Sequence, residues 1–207
     1  MDIFITIFSK LLLFARNFVG IVNAPYSTYR NLAQKQDFTQ TIFIFLLVLL
    51  YFLFSSVIRV GLYNPFFLTV KFNIIFFGAV IGFLGMILLL YYLGKLIGGS
   101  GKLNTIFFLW SFSLIPTLFL FLSTSILYVL LPPPRTYSLS GKLYSVVYII
   151  FSFSLLWWKL MLYYLTLRFG HKLDFSKIAF VSQVIFLLTG VYSWLMYKSG
   201  VFRIPFI

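Results

Sequence analysis

Lys159 stands inside a long apolar run, WWKLMLYYLTLR, nine residues before Arg168. About 13 Å of helix would separate the two. A charge that deep in an apolar segment is costly and usually marks function, here a lipid-headgroup or transport role. The other reading is structural: the ammonium snorkels past Trp157, Trp158, Tyr163 and Tyr164 to the headgroups. Both stay open on sequence. No Asp or Glu lies in any of the long apolar runs, so neither a carboxylate partner nor a proton relay is available there.

Other chemistry is sparse. His171 is the single histidine and the chain has no cysteine, so strong metal ligands are too few for a site. His171 reads as a surface residue beside Lys172 and Asp174. The stretch Lys95-Leu96-Ile97-Gly98-Gly99-Ser100-Gly101-Lys102 glances at a phosphate-binding loop, but that pattern needs Gly where Leu96 stands and Ser or Thr where Leu103 stands. Its glycines read instead as a tight turn that lets the N-terminal helix come close. No triad, dyad or metal pattern supports catalysis, and no cofactor is implied; the expectation is a non-enzymatic protein.

These residues must be positioned by membrane helices. Of the 207 residues, 62% are hydrophobic and 9% charged, and the mean hydropathy is +1.05. A soluble domain cannot cover its surface with so few charges. The composition excludes a cytosolic enzyme, a nucleic-acid-binding domain and a disordered chain. The net charge of +13 is scattered between apolar runs, which points to anionic headgroups rather than nucleic acid. Five runs reach the length of a membrane span, at about 41–58, 73–94, 105–131, 143–167 and 179–197. The expected fold is all-α: a polytopic membrane protein with a five-helix domain over 41–207, preceded by interfacial helices over 1–40.

Turn signals divide the runs: Gly61, Asn64 and Pro65, then the glycines at 98–101, then Pro132-Pro133-Pro134, then RFGHKLDFSK, where Gly170 can cap one helix and Asp174 or Ser176 can start the next. Pro116 predicts a kink inside the third span, with nearby hydroxyls to satisfy freed carbonyls. Gly78 and Gly82, with Gly85 close by, form a small-residue pair expected to receive another helix.

The first 22 residues alternate apolar positions with Asp2, Thr6, Ser9, Lys10, Arg16 and Asn17, which share about a third of a helical wheel. That pattern predicts a helix lying in the interface; a sixth, shallow span is the rival. A signal peptide fits poorly, since Asp2 replaces its basic start. After Pro25, a short polar helix follows with Ser27 or Thr28 as cap and Arg30, Lys35 and Gln36 outward. With five spans, nine Lys and Arg fall on the N-terminal side and six opposite. The bias places the N-terminus in the cytoplasm and the C-terminus outside.

In this layout the chain resembles the Yip1-domain family of five-span membrane proteins, its prokaryotic members above all. The resemblance lies in order and spacing. NAPYSTYRNLA, with Pro25 and Arg30, is similar to the family's helix before the first span. LIGGSGKL, with Gly98 and Gly99, is similar to its glycine-rich turn. Pro116 resembles the proline within its third span, and LRFGHKLDFSKIA, with His171, its last loop. Together these cover about residues 20–198. The resemblance implies a cytoplasmic N-terminus in a prokaryotic cytoplasmic membrane. Eukaryotic members are linked to Rab GTPases and vesicle traffic; this sequence lacks their long polar region and their Asp-Leu-Tyr-Gly-Pro type of motif, so that role is not carried over. The expected role is membrane organisation, scaffolding or partner binding, whether toward lipids, another membrane protein or a second copy. The alternative is transport or lipid handling through the kinked third span and Lys159. A continuous polar cavity reaching Lys159 would favour the alternative; a tightly filled core would favour a scaffold or an accessory subunit.

Overall fold

The computed structural model describes residues 2–60, 65–130 and 139–198. Every regular element among them is a helix: α1 (Asp2–Asn23), α2 (Pro25–Gln34), α3 (Thr39–Val60), α4 (Pro65–Leu96), α5 (Leu103–Ser111), α6 (Leu114–Leu130), α7 (Leu139–Gly170) and α8 (Phe175–Lys198). The turn signals at Gly61, Asn64 and Pro132–Pro134, with Arg135 and Arg203, lie outside the described residues. Five stretches are long and apolar enough to cross a bilayer: Phe4–Asn23, Phe76–Leu96, Leu103–Leu127, Gly141–Gly170 and Phe175–Lys198; Thr39–Ser55 is a shorter apolar stretch. The five expected spans fall on helical segments, four on single helices and the third on two, α5 and α6. Yet α1 meets the same test of length and apolarity, so those two properties do not separate it from the spans.

The third span differs most from expectation. It is broken into α5 and α6 at Phe112–Ser113, where the Phe112, Ser113 and Ile115 amides turn back to Leu109, Trp110 and Phe112 carbonyls three residues behind. Pro116 explains the break: it has no amide for the Phe112 carbonyl, and its ring would clash with that carbonyl in a continuous helix. The short α5 is buried from Phe108 to Ser111 and stands between two packed clusters. One gathers Phe14, Ile21, Tyr29, Leu32, Ile44, Phe108, Phe112 and Leu162 around the N-terminal helices. The other joins Ile87, Leu90, Ile106, Trp110, Tyr163, Leu167, Ile178 and Ile185 from α4, α5, α7 and α8. Inside a bilayer, close packing rather than water exclusion holds such contacts together.

Turns are built locally. Gly98 has φ +87° and ends α4 in a Schellman motif, with Gly98 N–H bonded to Lys95 O at 3.0 Å and Gly99 N–H to Gly94 O at 2.8 Å. Helix α2 opens on Pro25, whose missing amide needs no cap. Ser27 and Thr28 therefore do not cap it, and both hydroxyls donate back to the Ala24 carbonyl. Gly170 does not provide a left-handed cap either; Lys172 takes that conformation, with φ 58°. Gly170 is small because a Cβ there would lie 2.4 Å from Ile106 Cδ1. Asp174 does precede α8 as expected, and its carboxylate accepts from Arg168 at 2.8 Å.

Candidate functional site

Residues from α3 to α8 line a cavity of about 810 Å³, within the range of roughly 300–1,000 Å³ typical of small-molecule sites; it opens to the outside of the bundle past the exposed Leu46, Ile81, Leu84 and Leu188. Its wall is almost entirely apolar, built from Phe45, Leu49, Phe52, Phe76, Ile81, Met86, Phe107, Trp110, Leu114, Phe121 and Leu188 among others. The polar groups in the wall are few: Tyr51, Ser113, Thr117, Lys159, Thr189 and Tyr192. The Lys159 ammonium donates to Thr117 Oγ1 at 2.8 Å. So the deep lysine reaches sideways to α6, just past the break, instead of running along its own helix to the headgroups. Ser113, at the break itself, is fully buried, and its Oγ has no hydrogen-bond partner among the described residues. The break thus sets a hydroxyl, a threonine and an ammonium on one side of an apolar chamber.

The glycines of α4 make the room. Gly78, Gly82 and Gly85 all line the cavity. A Cβ on Gly82 would lie 3.0 Å from the Tyr192 hydroxyl, while one on Gly85 would meet nothing within 4 Å. The expected contact with another helix is met at Gly82, which faces Tyr192 of α8, while Gly85 faces open space.

His171 corrects a second expectation. It is fully buried, not a surface residue. Its ring sits in a cradle where Cβ atoms on Gly94, Gly99 or Gly101 would come within 2.5, 2.8 and 2.7 Å of it. The glycine-rich turn thus admits this imidazole, from the loop after α7, rather than the N-terminal helix. Nε2 lies 3.1 Å from the Leu90 carbonyl, so it carries the proton, and Nδ1 has no partner among the described residues. Burial pushes the imidazole below its ordinary pKa of 6.5; the Leu90 carbonyl opposes that shift and Lys95 adds to it. The Ser100 amide also bonds the His171 carbonyl at 3.0 Å. His171 fastens the ends of α4, α5 and α7 together. No spacing rule marks a lone histidine as such a pin; the nearby glycines were the available signal.

The N-terminal helices pack on that same end. Pro25 starts α2, Arg30 is exposed, and Gln36 Nε2 donates to Thr105 Oγ1 at 2.8 Å. Tyr29 is buried and its hydroxyl donates to the Leu109 carbonyl at 3.2 Å, while burial raises its phenol well above the ordinary value. Lys10 pairs with Asp37, and Asn17 Nδ2 donates to Gln40 Oε1 at 2.8 Å. Burial alone would raise the Asp37 carboxyl; hydrogen bonds from Lys10 and Thr39 outweigh it and hold the group below its ordinary value. Among the described residues no three His, Asp or Glu side chains converge as a metal site would require.

A helical membrane bundle with a broken third span, a glycine-built turn and an open apolar cavity defines a polytopic membrane protein. The chain matches the family model described as Yip1 domain over residues 19–197 and belongs to that family. Neither a curated protein nor a solved structure matches it.

Proposed function

We propose that this Yip1-family protein is a non-enzymatic organiser of the cytoplasmic leaflet, in a prokaryotic cytoplasmic membrane, with α1 and α2 as an interfacial platform on the bundle. The observation that carries this reading is the division of α1 into three faces. Lys10, Phe14, Asn17, Phe18 and Ile21 turn to the bundle, where Phe14 meets Phe43 and Phe18 meets Phe119. Phe4, Phe8, Leu11, Leu12, Val19 and Val22 form an exposed apolar face, with Ile5 and Ile7 also exposed at the first turns. Thr6, Ser9 and Arg16 form an exposed polar face. An interfacial helix needs such an apolar and a polar side; a spanning helix would expose apolar residues to lipid all round. The middle of α1 and the residue beyond its end are also tied to one end of the bundle. Lys10 pairs with Asp37 in the α2–α3 turn, and Tyr26, just beyond α1, lies 5.0 Å from Phe169 near the end of α7.

Anionic lipid headgroups are the natural counterpart of the exposed Arg16, Arg30 and Lys35 around this platform. The test uses single cysteines, which the cysteine-free chain makes unique reporters. Spin labels at Leu11, Leu12 and Val19 should report one shallow depth in reconstituted bilayers, while labels at Ser9 and Arg16 should contact aqueous relaxation agents. A depth that changes steadily from Phe4 to Val22, through the bilayer midplane, would overturn the proposal. The cavity that reaches Lys159 is apolar, not the continuous polar path named above for transport; it supports instead a second reading, handling of an apolar molecule within the bundle.

A further inference from the structure

Three features meet in the chamber between α3 and α8. Its wall is apolar, it includes Lys159 from the middle of α7, bonded to Thr117, and it includes Ser113, a buried residue whose hydroxyl has no partner among the described residues. An ordinary packed bundle fills its interior, and a buried polar group is normally satisfied. Here the glycines of α4 hold space open opposite a cation and a spare hydroxyl. We propose that this chamber is a binding site for a long-chain carboxylate, a fatty acid whose tail fills the apolar space and whose head is held by Lys159, Ser113 and Thr117.

The charge selects the head. Lys159 brings one positive charge and no spanning helix carries an Asp or Glu. A carboxylate brings one negative charge and only acceptor oxygens, which suit the Lys159 ammonium and the Ser113 hydroxyl as donors. An alkyl phosphate carries about −1.5 to −2 near neutral pH, more than one lysine balances. Depth selects size. Lys159 lies eleven residues before Gly170, the end of α7, or about 16 Å along the helix. A bulky headgroup at that depth would bring further polar groups into the hydrocarbon, whereas a bare carboxylate is small. The tail then lies against Phe52, Phe76, Phe121 and the open surface of Gly85. This site rests on the reading that the bundle handles an apolar molecule, and does not require that it moves one across the bilayer.

The experiment is photolabelling of the purified full chain in mild detergent with a diazirine analogue of palmitate. Three variants stand beside the wild type: Lys159→Met, Ser113→Ala, and Gly85→Leu, whose Cβ enters open space and whose side chain takes up part of the chamber. Size-exclusion profiles show that each variant is folded. Unlabelled palmitate should compete at concentrations at least tenfold lower than hexadecanol. Labelling should fall at least tenfold in Lys159→Met and Gly85→Leu, and severalfold in Ser113→Ala. Equal labelling of Lys159→Met and the wild type, or equal competition by hexadecanol, overturns the site. Stronger competition by hexadecyl phosphate than by palmitate overturns the choice of carboxylate. If Lys159→Met does not fold, Gly85→Leu decides alone, since an unfilled surface site would be blind to it. Palmitate flux across proteoliposomes is read separately: binding without flux upholds the site and removes a transport role.

Discussion

At the scale of single residues, the glycines of this chain separate into two kinds that composition cannot distinguish. A Cβ on Gly101 would lie 2.5 Å from the Gly170 carbonyl oxygen and 2.7 Å from His171 Nδ1, so backbone would have to move. Gly85 faces open space on a helix. Gly101→Ala should cost about 1–3 kcal/mol, the range for overpacking, and Gly85→Ala should gain up to about 1 kcal/mol of helix propensity. Thermal unfolding in one detergent compares them directly, and an equal effect would disprove the assignment. His171 adds a pH dependence. Its folded pKa lies below the ordinary 6.5, so between the two values the unfolded chain binds more protons. Its contribution is complete above about pH 6.5 and is lost as pH falls toward the folded value. The wild type should melt at a lower temperature at pH 5.5 than at pH 8. His171→Gln, which keeps a donor for Leu90 but cannot titrate, should lose that difference while costing about 1–3 kcal/mol overall. The opposite slope, or an unchanged slope in the variant, would refute the sign.

At the scale of elements, Pro116 does more than bend a helix. It ends the continuity of the third span just before Thr117, which meets Lys159, and leaves Ser113 at the break in the wall of the same cavity. Pro116→Ala restores the missing amide, so α5 and α6 should join. A straight helix from Asn104 to Ile126 spans about 33 Å. Spin labels at those two exposed positions should move toward that separation in the variant from a shorter one in the wild type. An unchanged distance would mean that the packing of Phe108 and Phe112, not the proline, sets the break. The sequence announced the proline, and the five apolar runs, because both are local signals. It could not announce the chamber, because Gly78, Gly82 and Gly85 make the same small-residue stripe whether a helix or empty space faces them. His171 was misread for a similar reason: a polar loop suggests water, and only the fold shows the three glycines that close over the ring. Lys159 stands out in the sequence as a deep charge, but its direction toward α6 depends on a neighbour 42 positions away.

At the scale of the whole molecule, the positive charge of the chain gathers by geometry. The N-terminal region, the α4–α5 turn and the α7–α8 loop converge: Gln36 reaches Thr105, the Ser100 amide bonds His171, and Tyr26 stacks edge-on to Phe169. Lys10, Arg16, Arg30, Lys35, Lys95, Lys102, Arg168, Lys172 and Lys177 belong to these three segments. Retention of basic residues on the cytoplasmic side acts on such clusters near helix ends, so the convergent end should face the cytoplasm. The count of nine against six is a small margin by itself. Its weight grows because the three segments form one packed surface and cannot be distributed to different sides. The absence of native cysteine makes the test clean. Single cysteines at Lys35, Lys102 and Ser176, all exposed, should resist an impermeant maleimide added to intact cells and react once the membrane is opened. A cysteine at Lys198, at the end of α8, should react in intact cells. If α1 crossed the bilayer in addition to α3–α8, a cysteine at Ser9 would react from the side opposite Lys35 or lie unreactive within the hydrocarbon. If instead α1 lies on the surface, Ser9 and Lys35 should share the same protected side and the same reactivity after opening. Labelling of Lys35 in intact cells would reverse the orientation of the whole bundle, because the packed end turns as one body.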